Sequence, residues 1–287
     1  MRFTKWHGIG NDFLIVMEEE LRAAGIELDP ATVIAICDRH FGVGGDGILV
    51  LGPSETADAK MVIHNADGST AMMCGNGIRV AARQLVEDGI VTPGSDGSFA
   101  IETEGGIMRP TVLDDGRVQV DMGVLVSEGA TSIDLGTCDA ELAGKQLDGH
   151  VVSVGNPHFA VRRAPEGHDM HRLGRAAEVH PRFPHRSNIE FWELEADRPN
   201  HVRMRVWERG VGETLACGTG ACAVAYAARA AGVVGDTVTV TLPGGDLDVS
   251  FDGDRAVMTG AAHRAWSGEL DPATIRAGMP PAPSTHA

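Results

Sequence analysis

A chain of 287 residues, 43% of them hydrophobic, is long enough for about two domains with buried cores. Its formal net charge of −16 argues against a nucleic-acid groove, which needs a basic stripe, and fits a soluble surface. No stretch approaches the ~18–20 apolar residues of a membrane span, and the first residues lack the apolar run of a secretory signal, so a cytoplasmic protein with no membrane partner is expected.

In chain order, residues 11–17 read as a strand. Asp29-Pro30 then supplies a cap and a first-turn proline for a helix predicted to reach about His40. Residues 47–51 and 61–65 are strands. A polar loop leads into a helix from about Gly75 to Asp88, stopped by Gly89. Residues 99–102 and 109–113 are expected to form a hairpin through Glu104-Gly105-Gly106, and Asp114-Asp115-Gly116 turns the chain into a strand at 117–122. Strands follow at 151–154, 159–162, 189–194 and 202–208, then a helix from Cys217 to about Ala231. The strands 237–242, 246–251 and 255–259 are separated by glycine turns. A last strand at about 262–266 is expected to return to the first lobe, and residues 278–287, rich in proline and small polar residues, to be a disordered tail.

The chain is written twice. Cys74-Gly75-Asn76-Gly77 and Cys217-Gly218-Thr219-Gly220 each open an alanine-rich helical pattern, at a shift of 143 residues. Gly10-Asn11-Asp12-Phe13 answers to Gly155-Asn156-Pro157-His158-Phe159, and Asn65 and Glu208 each stand nine residues before their cysteine. The expected fold is therefore α/β, of mixed α+β sheets. It has two pseudo-symmetric lobes, each a sheet wrapped around one long central helix, with a site in the cleft between them. The lobes are expected at residues 1–122, with a returning segment at about 261–275, and at 123–260.

The cysteines are Cys37, Cys74, Cys138, Cys217 and Cys222, an odd and scattered set that reads as free thiols. Cys37, Cys138 and Cys222 have the surroundings of packing residues, and the five-residue step from Cys217 to Cys222 does not suit a zinc site. Cys74 and Cys217 differ because each starts a helix inside a glycine loop. Unpaired N–H groups and the helix dipole there are expected to lower a thiol's pKa and to hold an anion such as an α-carboxylate. One thiolate takes an α-proton and the other thiol delivers one to the opposite face, which inverts a stereocentre. The alternative route through pyridoxal phosphate needs a lysine, and Lys5, Lys60 and Lys145 lie in no phosphate loop, so no cofactor and no metal are expected. Asn11 and Asn156 each follow a glycine at matched places, Asn65 and Asn188 are the further asparagines of these motifs, and Glu208-Arg209 ends a strand before Cys217. These suit ligand contacts, with His158 a supporting group beside a thiol, whereas His7 and His64 read as ordinary histidines.

At these residues the chain resembles the diaminopimelate epimerases. The matching stretches are Lys5 to Phe13, Asn65-Ala66-Asp67-Gly68, Cys74 to Gly77, Gly155 to His158, Asn188 to Phe191, Glu208 to Thr214, and Ala216 to Gly220. The resemblance implies a cofactor-independent isomerase interconverting LL- and meso-2,6-diaminoheptanedioate in lysine biosynthesis, cytoplasmic and homodimeric. It implies Cys74 and Cys217 as the acid/base pair. Substrate-binding residues would be Asn11, Asn65, Asn156, Asn188, Glu208 and Arg209, with Gly75-Asn76 and Gly218-Thr219 as backbone anion holes. Gly47 stands where some members carry a substrate-contacting glutamine, and Thr219 replaces a frequent serine. The other readings are a two-cysteine racemase of a proline derivative or histidine, and a non-catalytic amino-acid-binding protein.

Overall fold

The computed structural model describes residues 1–164 and 167–271; the tail expected at 278–287 lies outside them. The described residues form two compact units, one of residues 1–7, 12–109 and 263–271, the other of residues 8–11, 110–164 and 167–262.

The first unit is built on an 8-stranded mixed sheet. Its order is His263–Glu269, Arg2–Gly8, Asn11–Met17, Gly47–Gly52, Ala59–Asn65, Ile101–Thr103, Gly106–Met108, with Thr70–Ala71 paired to Ala59–Asn65. Its helices are α1 (Glu18–Ala24), α2 (Pro30–Cys37) and α3 (Gly75–Glu87). The second unit carries α4 (Gly167–Glu178) and α5 (Gly218–Ala230) with an 11-stranded sheet. That sheet runs Val126–Asp134, Gln146–Ser153, Pro157–Arg162, Asn188–Leu194, His201–Glu208, Thr237–Leu242, Gly245–Asp252, Arg255–Gly260, Val118–Val124, Thr111–Val112, with Gly212–Thr214 paired to His201–Glu208.

The duplication read from the cysteine motifs is present in the topology. Asn11–Met17 pairs parallel with Gly47–Gly52 across α2, and Pro157–Arg162 pairs parallel with Asn188–Leu194 across α4. The next strand returns antiparallel in both units, at Ala59–Asn65 and at His201–Glu208. Each then takes a short antiparallel strand before its long helix, and a parallel partner after it, Ile101–Thr103 and Thr237–Leu242. Parallel neighbours need such helical crossovers, so this order follows from the sequence pattern.

The long helices are the core elements. In α3, Ile78, Val80, Ala81, Ala82 and Leu85 are fully buried; in α5, Ala221, Cys222, Ala223, Val224, Ala225 and Ala228 are. Small side chains let α5 touch every strand of its sheet from Gln146–Ser153 through Arg255–Gly260. Burying each branched aliphatic side chain contributes about 1.5–3 kcal/mol.

Several elements differ from expectation. α2 ends at Cys37 because the Asp38 carboxylate accepts the N–H groups of His40 and Phe41, each at 2.7 Å, and turns the chain. The hairpin at Gly105 pairs Ile101–Thr103 with Gly106–Met108, not with residues 109–113. Pro110 has no N–H to donate to a ladder, and Thr111–Val112 instead pairs with Val118 and Gln119 in the other sheet. Sequence patterns did not signal the strand Arg2–Gly8, helices α1 and α4, or the edge strand Val126–Asp134, which buries only Ile133. The last strand, His263–Glu269, pairs antiparallel with Arg2–Gly8.

Candidate active site

Cys74 and Cys217 are built alike. Each is the N-cap of its unit's long helix, with φ/ψ of −141°/117° at Cys74 and −136°/108° at Cys217. An N-cap side chain ordinarily accepts an N–H from the first turn, and here sulfur does so. Gly77 N–H donates to Cys74 Sγ at 3.3 Å, and Gly220 N–H to Cys217 Sγ at 3.4 Å. A donor aimed at each sulfur favours its thiolate.

Space is tight at the second of these helix starts. A Cβ on Gly220 would sit 3.0 Å from Glu190 Oε1 and 3.2 Å from Cys217 Sγ. Gly47 is tighter still: a Cβ there would lie 2.5 Å from the carbonyl oxygen of His64 in the neighbouring strand. Any side chain at this position would press on that carbonyl, so the backbone here takes glycine.

In the first unit, Asn65 ends its strand, pairs with Gly47, and donates from Nδ2 to Ser69 Oγ at 3.0 Å. Gly75 and Asn76 are buried at the start of α3. The fully buried Arg79 guanidinium holds them, donating to Gly75 O at 3.3 Å and Asn76 Oδ1 at 2.8 Å.

The second unit gathers most of the remaining candidates. Asn11, half-buried, belongs to it by contact. Asn188, 4% exposed, donates to Pro157 O at 3.0 Å and accepts from Arg209 N at 2.9 Å. It thus ties the start of one strand to the turn that presents the exposed Arg209. The Thr214 hydroxyl donates to Glu208 Oε1. His158 is fully buried between Glu190 and Asn156, with Nδ1 2.6 Å from Glu190 Oε1 and Nε2 2.9 Å from Asn156 Oδ1. Asn156 Nδ2 reaches Thr219 Oγ1 at 3.4 Å, and Thr219 Oγ1 lies 3.6 Å from Cys217 Sγ.

One expectation is reversed. The helix-start geometry alone lowers a thiol's pKa, yet the Cys217 thiol stands well above the ordinary cysteine value. Burial is the chief cause, since the residue is 4% exposed; charge on Glu208, and on Glu190, adds to it. The Thr219 hydroxyl and the Gly220 N–H oppose the shift without overcoming it. Cys37 behaves as the packing residue expected, buried and pushed up to about 12 by desolvation. Cys222 is fully buried in α5, and Cys138 is half-buried against the core.

Sequence reasoning missed Glu190 and Arg79. Glu190 interrupts the apolar run Ile189-Glu190-Phe191-Trp192, and a carboxyl inside a strand of that kind is the available signal. Among the described residues, no group of three His, Cys, Asp or Glu is placed to hold a metal ion, and no helix is long and apolar enough to cross a membrane.

The diaminopimelate epimerase family model matches residues 3–127 and 150–265. The chain belongs to the diaminopimelate epimerase family. It is accordingly an isomerase. It is 41% identical over 283 residues to diaminopimelate epimerase of Nostoc punctiforme, covering 94% of this chain and 99% of that one. A second relative, from Pelotomaculum thermopropionicum, is 41% identical over 284 residues, with 94% and 98% covered. Among solved structures, a probable proline racemase from Agrobacterium radiobacter shares the fold, with a TM-score of 0.68, 17% identity, and 94% and 92% of the two chains covered. The mixed α+β, two-lobed architecture is therefore that of this wider fold group.

Proposed function

We propose that the chain interconverts LL- and meso-2,6-diaminoheptanedioate without a cofactor, by a two-base reaction of Cys74 and Cys217. The observation that carries this reading is the matched pair of helix N-caps. Each presents a cysteine sulfur to the i+3 N–H, in a chain of this family.

The chemistry balances with two sulfurs. A thiolate removes the α-proton as the electron pair moves toward the carboxylate. The other sulfur gives its proton to the opposite face of the same carbon, and the two exchange protonation states. The N–H groups of Gly75-Asn76 and Gly218-Thr219 stabilise the carboxylate as negative charge grows there. The elevated Cys217 thiol favours it as the proton donor of the ligand-free enzyme, with Cys74 as the base of the first half-turnover.

The remaining candidates divide by position. Asn11, Asn65, Asn156 and Glu208 take the substrate's polar groups. Arg209, exposed at a turn, takes the distal carboxylate, and Asn188 fixes that turn because both ends of its amide are engaged within the protein. The family resemblance supports a cytoplasmic homodimer serving lysine synthesis. The test is incubation of reduced protein with LL-diaminopimelate in deuterated water, beside proline and histidine. Deuterium at the α-carbon with formation of the meso isomer is expected; exchange into proline or histidine alone would discard the substrate assignment.

A further inference from the structure

Glu190 has no exposure and stands inside the strand Asn188–Leu194. Burying a carboxylate is costly unless it is paired and hydrogen-bonded. Only Oε1 is engaged, 2.6 Å from His158 Nδ1; Oε2 is buried with no hydrogen-bond partner among the described residues. From His158 the contacts continue without a break. Nε2 meets Asn156 Oδ1 at 2.9 Å, Asn156 Nδ2 meets Thr219 Oγ1 at 3.4 Å, and Thr219 Oγ1 meets Cys217 Sγ at 3.6 Å.

The chemistry of each group sets the direction of this chain. An amide oxygen only accepts, so Nε2 carries a hydrogen and donates it. An amide nitrogen only donates, so the Thr219 oxygen accepts there and its own hydrogen is left for the sulfur. At the far end, Oε1 and Nδ1 share one hydrogen. Burial raises Glu190 above the ordinary carboxyl value, and His158 and the backbone N–H groups of Glu190 and Phe159 pull the other way. Glu190 thus grips the Nδ1 side of the ring, which holds Nε2 turned toward Asn156.

We propose that Glu190 is a positioning residue that acts through His158 and Asn156 to aim the Thr219 hydroxyl at the Cys217 sulfur. Cys217 faces the carboxyls of Glu208 and Glu190, with Thr219 and the Gly220 N–H opposing them. The aligned hydroxyl then supplies a donor at the moment Cys217 becomes a thiolate. The role rests on the reading of Cys217 as an acid/base thiol.

The experiment is native alkylation of the full chain by iodoacetamide over a pH series, with Cys74 and Cys217 peptides quantified separately by mass spectrometry. The midpoint of each profile reads thiolate formation rather than access. Thr219→Val is expected to raise the Cys217 midpoint by about one pH unit, which is ~tenfold less thiolate at fixed pH, and to leave the Cys74 midpoint in place. Glu190→Leu gives the same shift. Glu190→Gln restores the midpoint to within ~0.3 unit, because its amide, which can donate or accept, keeps the hydrogen bond to Nδ1. The Glu190→Leu/Thr219→Val double variant goes no further than either single one, since one chain is broken once. If Glu190→Leu does not fold, Thr219→Val and Glu190→Gln still decide. A Cys217 midpoint that stays or falls in Thr219→Val overturns the proposal, as does a Glu190→Gln shift equal to that of Thr219→Val. The underlying reading is separable: Cys217→Ala retaining interconversion of the LL and meso isomers would sink the two-base reaction and leave the alkylation result on Thr219→Val and Glu190→Gln standing.

Discussion

The two helix starts permit a matched pair of substitutions, Gly77→Ala and Gly220→Ala. In a helix, alanine is favoured over glycine by about 1 kcal/mol, so each change starts with the same gain. The surroundings then separate them. At Gly77 the new methyl meets Cys74 Cβ at 3.3 Å and otherwise nothing closer than 3.5 Å, which a small shift of the cap accommodates. At Gly220 it meets Glu190 Oε1 at 3.0 Å and Cys217 Sγ at 3.2 Å. Neither can retreat easily, because Glu190 is fully buried and held by His158, and the sulfur is held by the Gly220 N–H itself. Overpacking of this kind costs about 1–3 kcal/mol. Gly77→Ala is therefore expected near neutral, and Gly220→Ala about 1 kcal/mol less stable, an approximately fivefold larger open population. Hydrogen exchange read by mass spectrometry, peptide by peptide over α3 and α5, measures each helix without assuming that the whole chain unfolds in one step. Equal protection of α5 in Gly220→Ala and of α3 in Gly77→Ala, relative to wild type, would refute the claim that Glu190 and Cys217 close that space.

Three further outcomes are expected. Cys74→Ser and Cys217→Ser each lower interconversion of the LL and meso isomers about 10²–10⁴-fold, because a hydroxyl is a far poorer acid/base than a thiol; either variant inverting at the wild-type rate removes that cysteine from the reaction. Cys37, pushed up to about 12 by burial, stays protonated and unalkylated in the native protein at pH 8 and reacts once the chain is denatured, which peptide mapping before and after urea decides. Burial would raise Asp12, but the Arg39 and Lys5 contacts prevail and hold it below the usual carboxylate value. A depressed folded-state pKa contributes stability above the unfolded value of ~3.9 and loses it as pH falls through the folded one. Asp12→Asn is thus expected to be less stable than wild type at neutral pH, with the gap in urea unfolding closing below about pH 4. A gap that does not change with pH would show that Asp12 acts by shape alone.

What was legible in the sequence was what depends on neighbours in the chain. A cysteine followed by Gly-x-Gly and an alanine-rich run specifies its own helix start, and both N-caps form as read. The repeat at a shift of 143 residues carried the topology, because each copy must make the same parallel crossovers. Elements with few buried residues were not legible. The strand Val126–Asp134 buries one side chain and shows no alternation of polarity, and α4 shows its apolar spacing, Met170, Leu173, Ala176 and Ala177, only among charged residues. The state of Cys217 was misread for a different reason. The helix dipole is local, but the burial and the two carboxyls that outweigh it come from the packing of the strands Asn188–Leu194 and His201–Glu208 against the helix start.

That misreading bears on the reaction itself. Two copies of one motif supply two thiols of the same geometry, and identical surroundings would give them identical acidity. An enzyme that inverts a stereocentre needs one of them charged and the other not at the start of each turnover. The copies have diverged where this matters. Glu208 occupies the place, nine residues before the cysteine, that Asn65 holds in the other copy, and Cys222 the place, five residues after it, that the buried Arg79 holds. Each difference puts more negative or less positive charge on the Cys217 side. The hydrogen-bonded path from Glu190 through His158 and Asn156 to Thr219 has its proposed use here: the Thr219 hydroxyl offsets part of that imbalance at the Cys217 sulfur.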